Sequence, residues 1–399
     1  MSVLRYGYVT APALGALWAF VMAVTVAVSL SFATGLPVRP VFLGSVVLGV
    51  VVALVQVYLA NRLASIGAGI VLAVLLSLVG LGAITGDGPV LLGAILTGLV
   101  TGWPMTLILK DIPAAALTRH EFEEAVIRFL TGFGYIFFTA IVIIPFYVMV
   151  MTSLKSQQAL LQNPLDFSIQ LSKGADLFRS YFELFADFNF GTYLWTSFMV
   201  SVLTVAITLA FSVPGAYAVA RLRFKGRAAF SRSILLIYMV PMIVLALPIY
   251  IAFSMTGLRN TIFGIVLIYP VTTIPVALYM LQGYFRGLPG EVEEAGLMDG
   301  LSRLAVIWKI TLPLSLPAMA SVSLYVFMIA WNEFLLAFML LDDPSKFTLT
   351  RGVAMLNSSE IPRQHLMAGA VIATLPIMVL FLGLERFMTK GLTAGSVKG

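Results

Sequence analysis

The sequence has no cysteine and only two histidines, His120 and His365, and charged residues fill just 11% of its 399 positions. The missing cysteine excludes disulfides and thiol catalysis. The two histidines lie far apart in sequence, so a histidine-rich metal site is not available. No G-x-x-x-x-G-K-[ST] run exists to cradle nucleotide phosphates, and no H-E-x-x-H. No Ser/His/Asp set or paired carboxylates stand out. The shortage of charge says most. Soluble domains carry roughly 25% charged residues, and a water-soluble fold of this length could not clothe its surface with so few. What is present instead is apolar: 60% of residues are hydrophobic and the mean hydropathy is +1.02. The solvent for such a surface is lipid.

A membrane-spanning helix needs roughly 20 mostly apolar residues. Ten stretches meet that need: 11–34, 41–60, 65–85, 89–109, 131–151, 194–220, 231–253, 260–282, 315–340 and 366–386. The expected fold is an all-α integral membrane protein with about ten transmembrane helices. The first stretch has no basic cluster before it and reads as a retained span, not a leader. Ten spans put both termini on one side. With both in the cytoplasm, 16 of the 24 Lys and Arg fall inside and 8 outside. The densest cluster is Arg221, Arg223, Lys225, Arg227 and Arg232. The acids divide 9 inside and 8 outside, with Glu333 inside a span. This is the positive-inside pattern, to which acids contribute little. The net charge of +6 therefore reads as topology and not as a nucleic-acid surface.

The chain divides along its length. Residues 1–110 hold four spans with little polar punctuation. Residues 111–130 form a cytoplasmic amphipathic linker, in which Phe122, Ala125, Val126 and Phe129 recur at spacings of 3 and 4 and suit an interfacial helix. Residues 131–399 hold six spans. The segment 152–193 reads as an ordered external cap. Gly82 and Gly86 form a G-x-x-x-G pair in the third expected span, a pattern for helix contact. Pro145, Pro214, Pro241, Pro248, Pro270, Pro275 and Pro376 fall inside spans, where each frees a carbonyl and can kink its helix.

The loop 284–317 reads YFRGLPGEVEEAGLMDGLSRLAVIWKITLPLSLP. Pro289 precedes the acids Glu291, Glu293 and Glu294, which suit the positive end of a helix dipole. A short helix is expected from Glu291 to about Asp299, with Gly300 where a helix stops. A second piece, Ser302 to Ile310, leads to Pro313 and the next span. Leu297, Met298 and Leu301 give this hairpin an apolar surface for a partner, because a helix so short is marginal alone.

Glu294-Ala295-Gly296, then Asp299-Gly300, then Ile310, Leu312 and Pro313 resemble the EAA loop of the permease subunits of ABC importers. RLRFKGR at 221–227, TGLRNTIFGIVLIY at 256–269 and WNEFLLAFMLL at 331–341 resemble the carbohydrate branch of maltose and trehalose type. The end, GLTAGSVKG at 391–399, resembles the tail of its second, G-type permease subunit. The resemblance covers 130–399, with the coupling loop at 284–313, and not 1–110. Gly296 stands where the family has its third alanine. The resemblance implies an ABC type I importer core of six helices at 131–386, with the first four as an N-terminal extension. It implies a bacterial cytoplasmic (inner) membrane location, a second permease subunit, two ATPase subunits holding ATP and magnesium, and an extracytoplasmic sugar-binding protein. This chain would hold no cofactor and perform no catalysis. The family's ATPase-coupling role carries over to Glu291, Glu293, Glu294, Ala295, Gly296, Leu297, Met298, Asp299, Gly300 and Leu301, with Glu294 pairing with a basic residue of the ATPase. Gly395, Ser396, Val397, Lys398 and Gly399 would reach the ATPase interface.

Intramembrane polar residues are candidates for a translocation path. Trp331, Asn332 and Glu333 sit together, and Asn260 lies at the outer end of the eighth span. An aromatic face with an amide and a carboxylate suits a sugar. The same residues could instead hold neighbouring helices together. Two other readings stay open. An ion-coupled secondary transporter would need titratable groups in several spans, and only Glu333 qualifies. A membrane-embedded enzyme or assembly factor would need a convergent catalytic set.

Overall fold

The computed structural model describes residues 5–164, 166–169 and 171–393. It is helical nearly throughout and forms two compact units, Met1–Leu177 and Phe178–Gly399.

The first unit contains α1 (Gly7–Thr34), β1 (Val38–Pro40), α2 (Phe42–Leu59), α3 (Arg62–Leu78), β2 (Ile84–Gly86), α4 (Val90–Ile108), α5 (Arg119–Ser153) and α6 (Gln157–Gln162). Glycines let the first four helices close up in pairs. A Cβ on Gly15 would stand 2.3 Å from the Gly49 carbonyl oxygen, and one on Gly49 2.0 Å from that of Gly15. So α1 and α2 cross backbone against backbone. Gly69 and Gly98 do the same for α3 and α4, at 2.5 and 2.4 Å. Trp18, Met22, Leu48, Val52 and Met105 fill the core between them. The strands pair antiparallel, Val38 opposite Gly86, and so join the two hairpin loops.

The Gly82–Gly86 pair is not a helix contact. Helix α3 ends at Leu78, and Gly86 lies in β2 at a φ of +144°. Only glycine adopts that backbone freely, so the spacing marks a turn and not a packing face.

Helix α5 is 35 residues long. It starts with a capping box in which the Thr118 side chain and Glu121 satisfy each other's backbone N–H. The amphipathic stretch 121–129 and the apolar stretch 131–151 are one continuous helix. The bundle holds it at both ends. At the start, Leu117 N–H donates to Arg5 O at 2.6 Å and Gly7 N–H to Ala115 O at 2.9 Å. Near the far end, Tyr147 stacks on Phe32, its hydroxyl 3.1 Å from Phe32 O and 3.2 Å from Phe167 O. Beyond α5, Lys155 pairs with Asp166 at 2.7 Å.

The second unit contains α7 (Arg179–Asp187), α8 (Phe190–Arg221), α9 (Arg227–Tyr238), α10 (Met242–Met255), α11 (Ile262–Gly287), α12 (Gly290–Met298), α13 (Arg303–Val306), α14 (Leu312–Leu314), α15 (Leu316–Asn332), α16 (Leu335–Leu340), α17 (Leu349–Met355) and α18 (Arg363–Thr393). Helices α8 and α11 meet along a seam of small hydroxyl residues. The Thr208 and Thr273 hydroxyls are 2.6 Å apart, and Ser212 donates to Ile274 O at 3.4 Å. Tyr217, Leu281, Phe285, Val322 and Val326 form the core where α8, α11 and α15 meet.

Among the described residues, seven helices are long and apolar enough to cross a membrane: α1, α2, α4, α5, α8, α11 and α18. Helices α3 and α10 are apolar but have 17 and 14 residues. The segment Arg303–Leu314 with α15 makes one more span only as a pair bent by 73°. Two expected spans are broken. The stretch 231–253 splits at Pro241, which precedes α10 as its cap and lacks the N–H a continuous helix needs. The stretch 315–340 breaks after Asn332, where Glu333 turns extended.

Candidate functional site

The loop leaving α11 is built from short caps. Leu288 is extended, Pro289 caps α12, and Glu291 and Glu293 occupy its first turn. Asp299 ends the helix, and Gly300 follows at a φ of +82°, where a side chain would be strained. Leu301 N–H closes back on Gly296 O at 3.1 Å. Ser302 caps α13 through a hydrogen bond from Ala305 N–H at 3.3 Å. A π turn over Ile307–Thr311 and α14 then lead to the bend at Ser315 and into α15.

Helix α12 has two distinct faces. Gly296 is buried against the Ile310, Val306 and Leu301 side chains. Glu294, Leu297 and Met298 are exposed at spacings of 3 and 4, and so share one outward face. Met298 is 88% exposed. Glu291, Ala295, Asp299 and Gly300 are also exposed, and Leu301 is half-buried.

Glu293 turns the other way. Its Oε1 accepts from the Thr311 hydroxyl at 3.1 Å and lies 3.4 Å from Arg221 Nε. Its Oε2 accepts from the Tyr217 hydroxyl at 3.2 Å. Arg221 also donates through Nη2 to Leu288 O at 2.6 Å. The sequence places Glu293 in an acidic run and Arg221 in a basic one. Their pairing, across 72 positions, was not visible there.

The residues suggested for a path have defined partners. Trp331 is buried, stacks on Phe327, and donates through Nε1 to Ala373 O at 3.0 Å. Glu333 accepts from the backbone of Leu336 at 2.9 Å and Ala337 at 3.2 Å, so it caps α16. The buried Tyr269 hydroxyl lies beside that carboxylate without a well-aligned hydrogen bond. Asn332 is exposed and donates to Met328 O at 2.9 Å. Asn260, at a φ of +56°, accepts from Asp342 and Asp343 N–H, each at 3.1 Å, and so holds the loop after α16. The structure brings Trp331 and Glu333 into helix packing and turns Asn332 outward. Gly395, Ser396, Val397, Lys398 and Gly399 lie outside the described residues.

One further cluster joins α7 to the start of α18. His365 Nε2 lies 2.8 Å from Glu183 Oε2, and Arg179 pairs with Glu183 at 2.7 Å. The Arg179 hydrogen bond, then that of His365, hold the Glu183 carboxyl below the usual carboxylate range against the opposing effect of burial. Sequence separation hid this contact as well.

Residues 212–393 match the model of the family described as "Binding-protein-dependent transport system inner membrane component". The chain is 36% identical over 270 residues to the inner membrane ABC transporter permease protein YcjP of Escherichia coli, covering 67% of this chain and 95% of that one. It is 33% identical over 282 residues to the trehalose/maltose transport system permease protein MalG of Thermococcus litoralis, covering 69% and 99%. It is 34% identical over 225 residues to the trehalose transport system permease protein SugB of Mycobacterium tuberculosis, covering 56% and 82%. The fold resembles a solved bacterial ABC transporter involved in import of the acidic polysaccharide alginate, with a TM-score of 0.57 and 23% identity over 67% of this chain and 98% of that one. The outward-facing short helix between long apolar helices, the family match and the near full-length relatives agree: this chain belongs to the family of inner membrane permease subunits of binding-protein-dependent ABC transporters.

Proposed function

We propose that this chain forms half of the translocation path of an ATP-driven sugar importer, for maltose, trehalose or a related oligosaccharide. The sugar class rests on the trehalose/maltose and trehalose permeases among its relatives. The other half of the path is a second, distinct permease subunit. Two ATPase subunits bind ATP and magnesium below, and a sugar-binding protein delivers substrate above. The chain itself does no covalent chemistry.

We place residues 131–399 as the permease domain, 111–130 as a cytoplasmic linker and 1–110 as an added bundle of four spans. The support is length: two thirds of this chain suffice to match 95% and 99% of two relatives, and the family match lies at 212–393. The count is ten spans, six of them in the core, if α3, α9 with α10, and the bent segment with α15 each cross once. Both termini are cytoplasmic, which the 16-to-8 division of basic residues supports. The tail 391–399 reaches the ATPase interface. Trp331, Asn332, Glu333 and Asn260 shape the path, with Asn332, exposed while its amide nitrogen donates to Met328 O, the one best placed to meet sugar.

The observation that carries this reading is the outward face of α12. Glu294, Leu297 and Met298 present one charge and two apolar side chains on the exposed face, Met298 at 88% and Leu297 at 37% exposure. That composition suits an apolar groove with a basic residue beside it, as on an ATPase. Glu291, Ala295, Asp299, Gly300 and Leu301 frame the contact. Co-purification from native membranes tests it. The wild type should bring down an ATPase, and a Glu294→Ala, Gly300→Asp double variant should insert normally yet lose it. Retention of the ATPase and of full transport by the double variant would remove α12 from the interface.

A further inference from the structure

Helix α12 has only nine residues, too few to hold its own shape in water. Its position depends on what ties it to the long helices. Among the described residues, every side-chain hydrogen bond or ion pair from α12 to α8 or to the segment entering α15 comes from one side chain, Glu293.

The two oxygens of that carboxylate serve different elements. Oε2 takes the hydroxyl of Tyr217, on the last turns of α8. Oε1 takes the hydroxyl of Thr311, in the π turn before α15, and faces Arg221, the final residue of α8. Arg221 in turn holds Leu288, the residue between α11 and α12. The two charged side chains are only 17% and 14% exposed. A pair so buried is costly to break from one side, because the remaining charge loses its partner. The network therefore behaves as one rigid joint among α8, α11, α12 and the approach to α15. The π turn beside it is the deformable part, being a poorly bonded form of helix.

We propose that Glu293 is the positioning residue through which displacement of α12 reaches α8 and α15. It does so without touching the ATPase. Glu293 and Glu294 then divide the work: Glu294 meets the partner, and Glu293 carries the movement inward. A push on Leu297 and Met298 arrives at Tyr217, Arg221 and Thr311 as movement of the ends of two spans. This inference rests on the reading of α12 as the ATPase contact.

The absence of cysteine makes the test direct. Single cysteines replace Val292 on α12 or Phe211 on α8, both exposed, and carry spin labels in the assembled complex in nanodiscs. In the wild type, both labels should respond when ATP is trapped on the ATPases. Glu293→Gln keeps the size of the side chain and removes its charge. With it, the ATPase should co-purify at the wild-type level and the Val292 label should still respond, while the α8 response falls about tenfold, within the range of couplings between sites. Arg221→Gln should do the same, and the double variant should be no worse than either single one. A Tyr217→Phe, Thr311→Val pair removes both hydroxyl arms and leaves the ion pair. It should weaken the α8 response in part, and it serves if the charge variants do not fold and insert.

An unchanged α8 response in all of these overturns the proposal. So does loss of the ATPase in Glu293→Gln, which would put Glu293 in the docking surface. A wild-type α8 label blind to ATP also overturns it. If no ATPase joins even the wild type, it is the reading of α12 as the contact that fails.

Discussion

Neighbouring residues on a helix point about 100° apart, and α12 shows how much that decides. Glu293 and Glu294 are chemically identical, yet one is held by three side chains and the other by none. Gly296 is set by the same geometry. A Cβ there would meet Ile310 Cδ1 at 2.6 Å and Val306 Cγ2 at 3.3 Å. The nearer atom is the free end of a side chain that can turn. Alanine would gain about 1 kcal/mol of helix preference and lose a similar amount to crowding. Gly296→Ala should therefore shift the unfolding free energy in detergent by less than about 1 kcal/mol. A much larger loss would mean that Ile310 is locked. A second residue, Asp166, gives a pH dependence. Burial pushes its pKa up, but hydrogen bonds from Lys155 and Ser168 outweigh that and bring it from 3.8 to about 2. A lowered pKa stabilises the fold above the unfolded value and loses that effect as pH falls toward the folded one. The melting-temperature gap between wild type and Asp166→Asn should be full at pH 6 and shrink between about pH 4 and about pH 2. A gap that stays constant through that window would show that the Lys155 pair contributes nothing.

At the level of whole elements, hydropathy located the helices but not their directions. Eight of the ten apolar stretches are each covered over most of their length by a single helix, because burial in lipid needs only length and apolarity, and the other two are broken. Hydropathy cannot report where an apolar run turns. The 73° bend before α15 and the break at Pro241 both lie inside or beside apolar sequence. The prolines were visible, but of seven marked, Pro241 alone separates two helices, and which one would do so depends on packing. The site was legible in outline, since the caps at Pro289, Gly300 and Ser302 follow local rules. The inward tie of Glu293 was not, because its partners come from Tyr217, Arg221 and Thr311, up to 76 positions away. The glycine crossings of the first unit follow no single motif: Gly98 and Gly102 are four apart and do pack α4 on α3, Gly15 and Gly49 pack with no second glycine four positions away, and Gly82 and Gly86, also four apart, lie outside the helices. Those crossings make a sharp prediction. Gly49→Val would drive atoms into the Gly15 carbonyl, already 2.0 Å from a bare Cβ. The helices must then part, with a loss of at least about 2 kcal/mol in overpacking. The melting temperature should fall clearly, whereas Gly67→Ala in α3, with nothing within 4 Å, should hold or raise it, since alanine gains up to about 1 kcal/mol of helix preference there.

About a third of the whole molecule lies beyond what its relatives match. MalG of T. litoralis is matched over 99% of its length by 69% of this chain, so the remainder has no counterpart there. The Glu293 network and the outward face of α12 lie wholly within the second unit: Tyr217, Arg221, Glu293, Glu294 and Thr311 all fall in Phe178–Gly399. The bundle of α1–α4 instead holds α5, through Arg5 and Gly7 at one end and Phe32 at the other. These contacts separate two consequences of removing residues 1–110. With α12 as the proposed ATPase contact, docking should persist, so the shortened chain should still co-purify with the ATPase. The ends of α5 and the segment 155–169 lose the carbonyls and rings that hold Leu117 and Tyr147. That segment keeps its Lys155–Asp166 pair, the Ser168 bonds to Asp166 and the Tyr147 hydroxyl on Phe167 O, but loses the Phe32 ring and carbonyl, and a short segment held by fewer contacts opens more easily. Limited proteolysis should cut between 155 and 169 in the shortened chain well before it does so in the full one. If the shortened chain inserts but no longer brings down the ATPase, the bundle acts on docking as well, and its role extends beyond bracing α5.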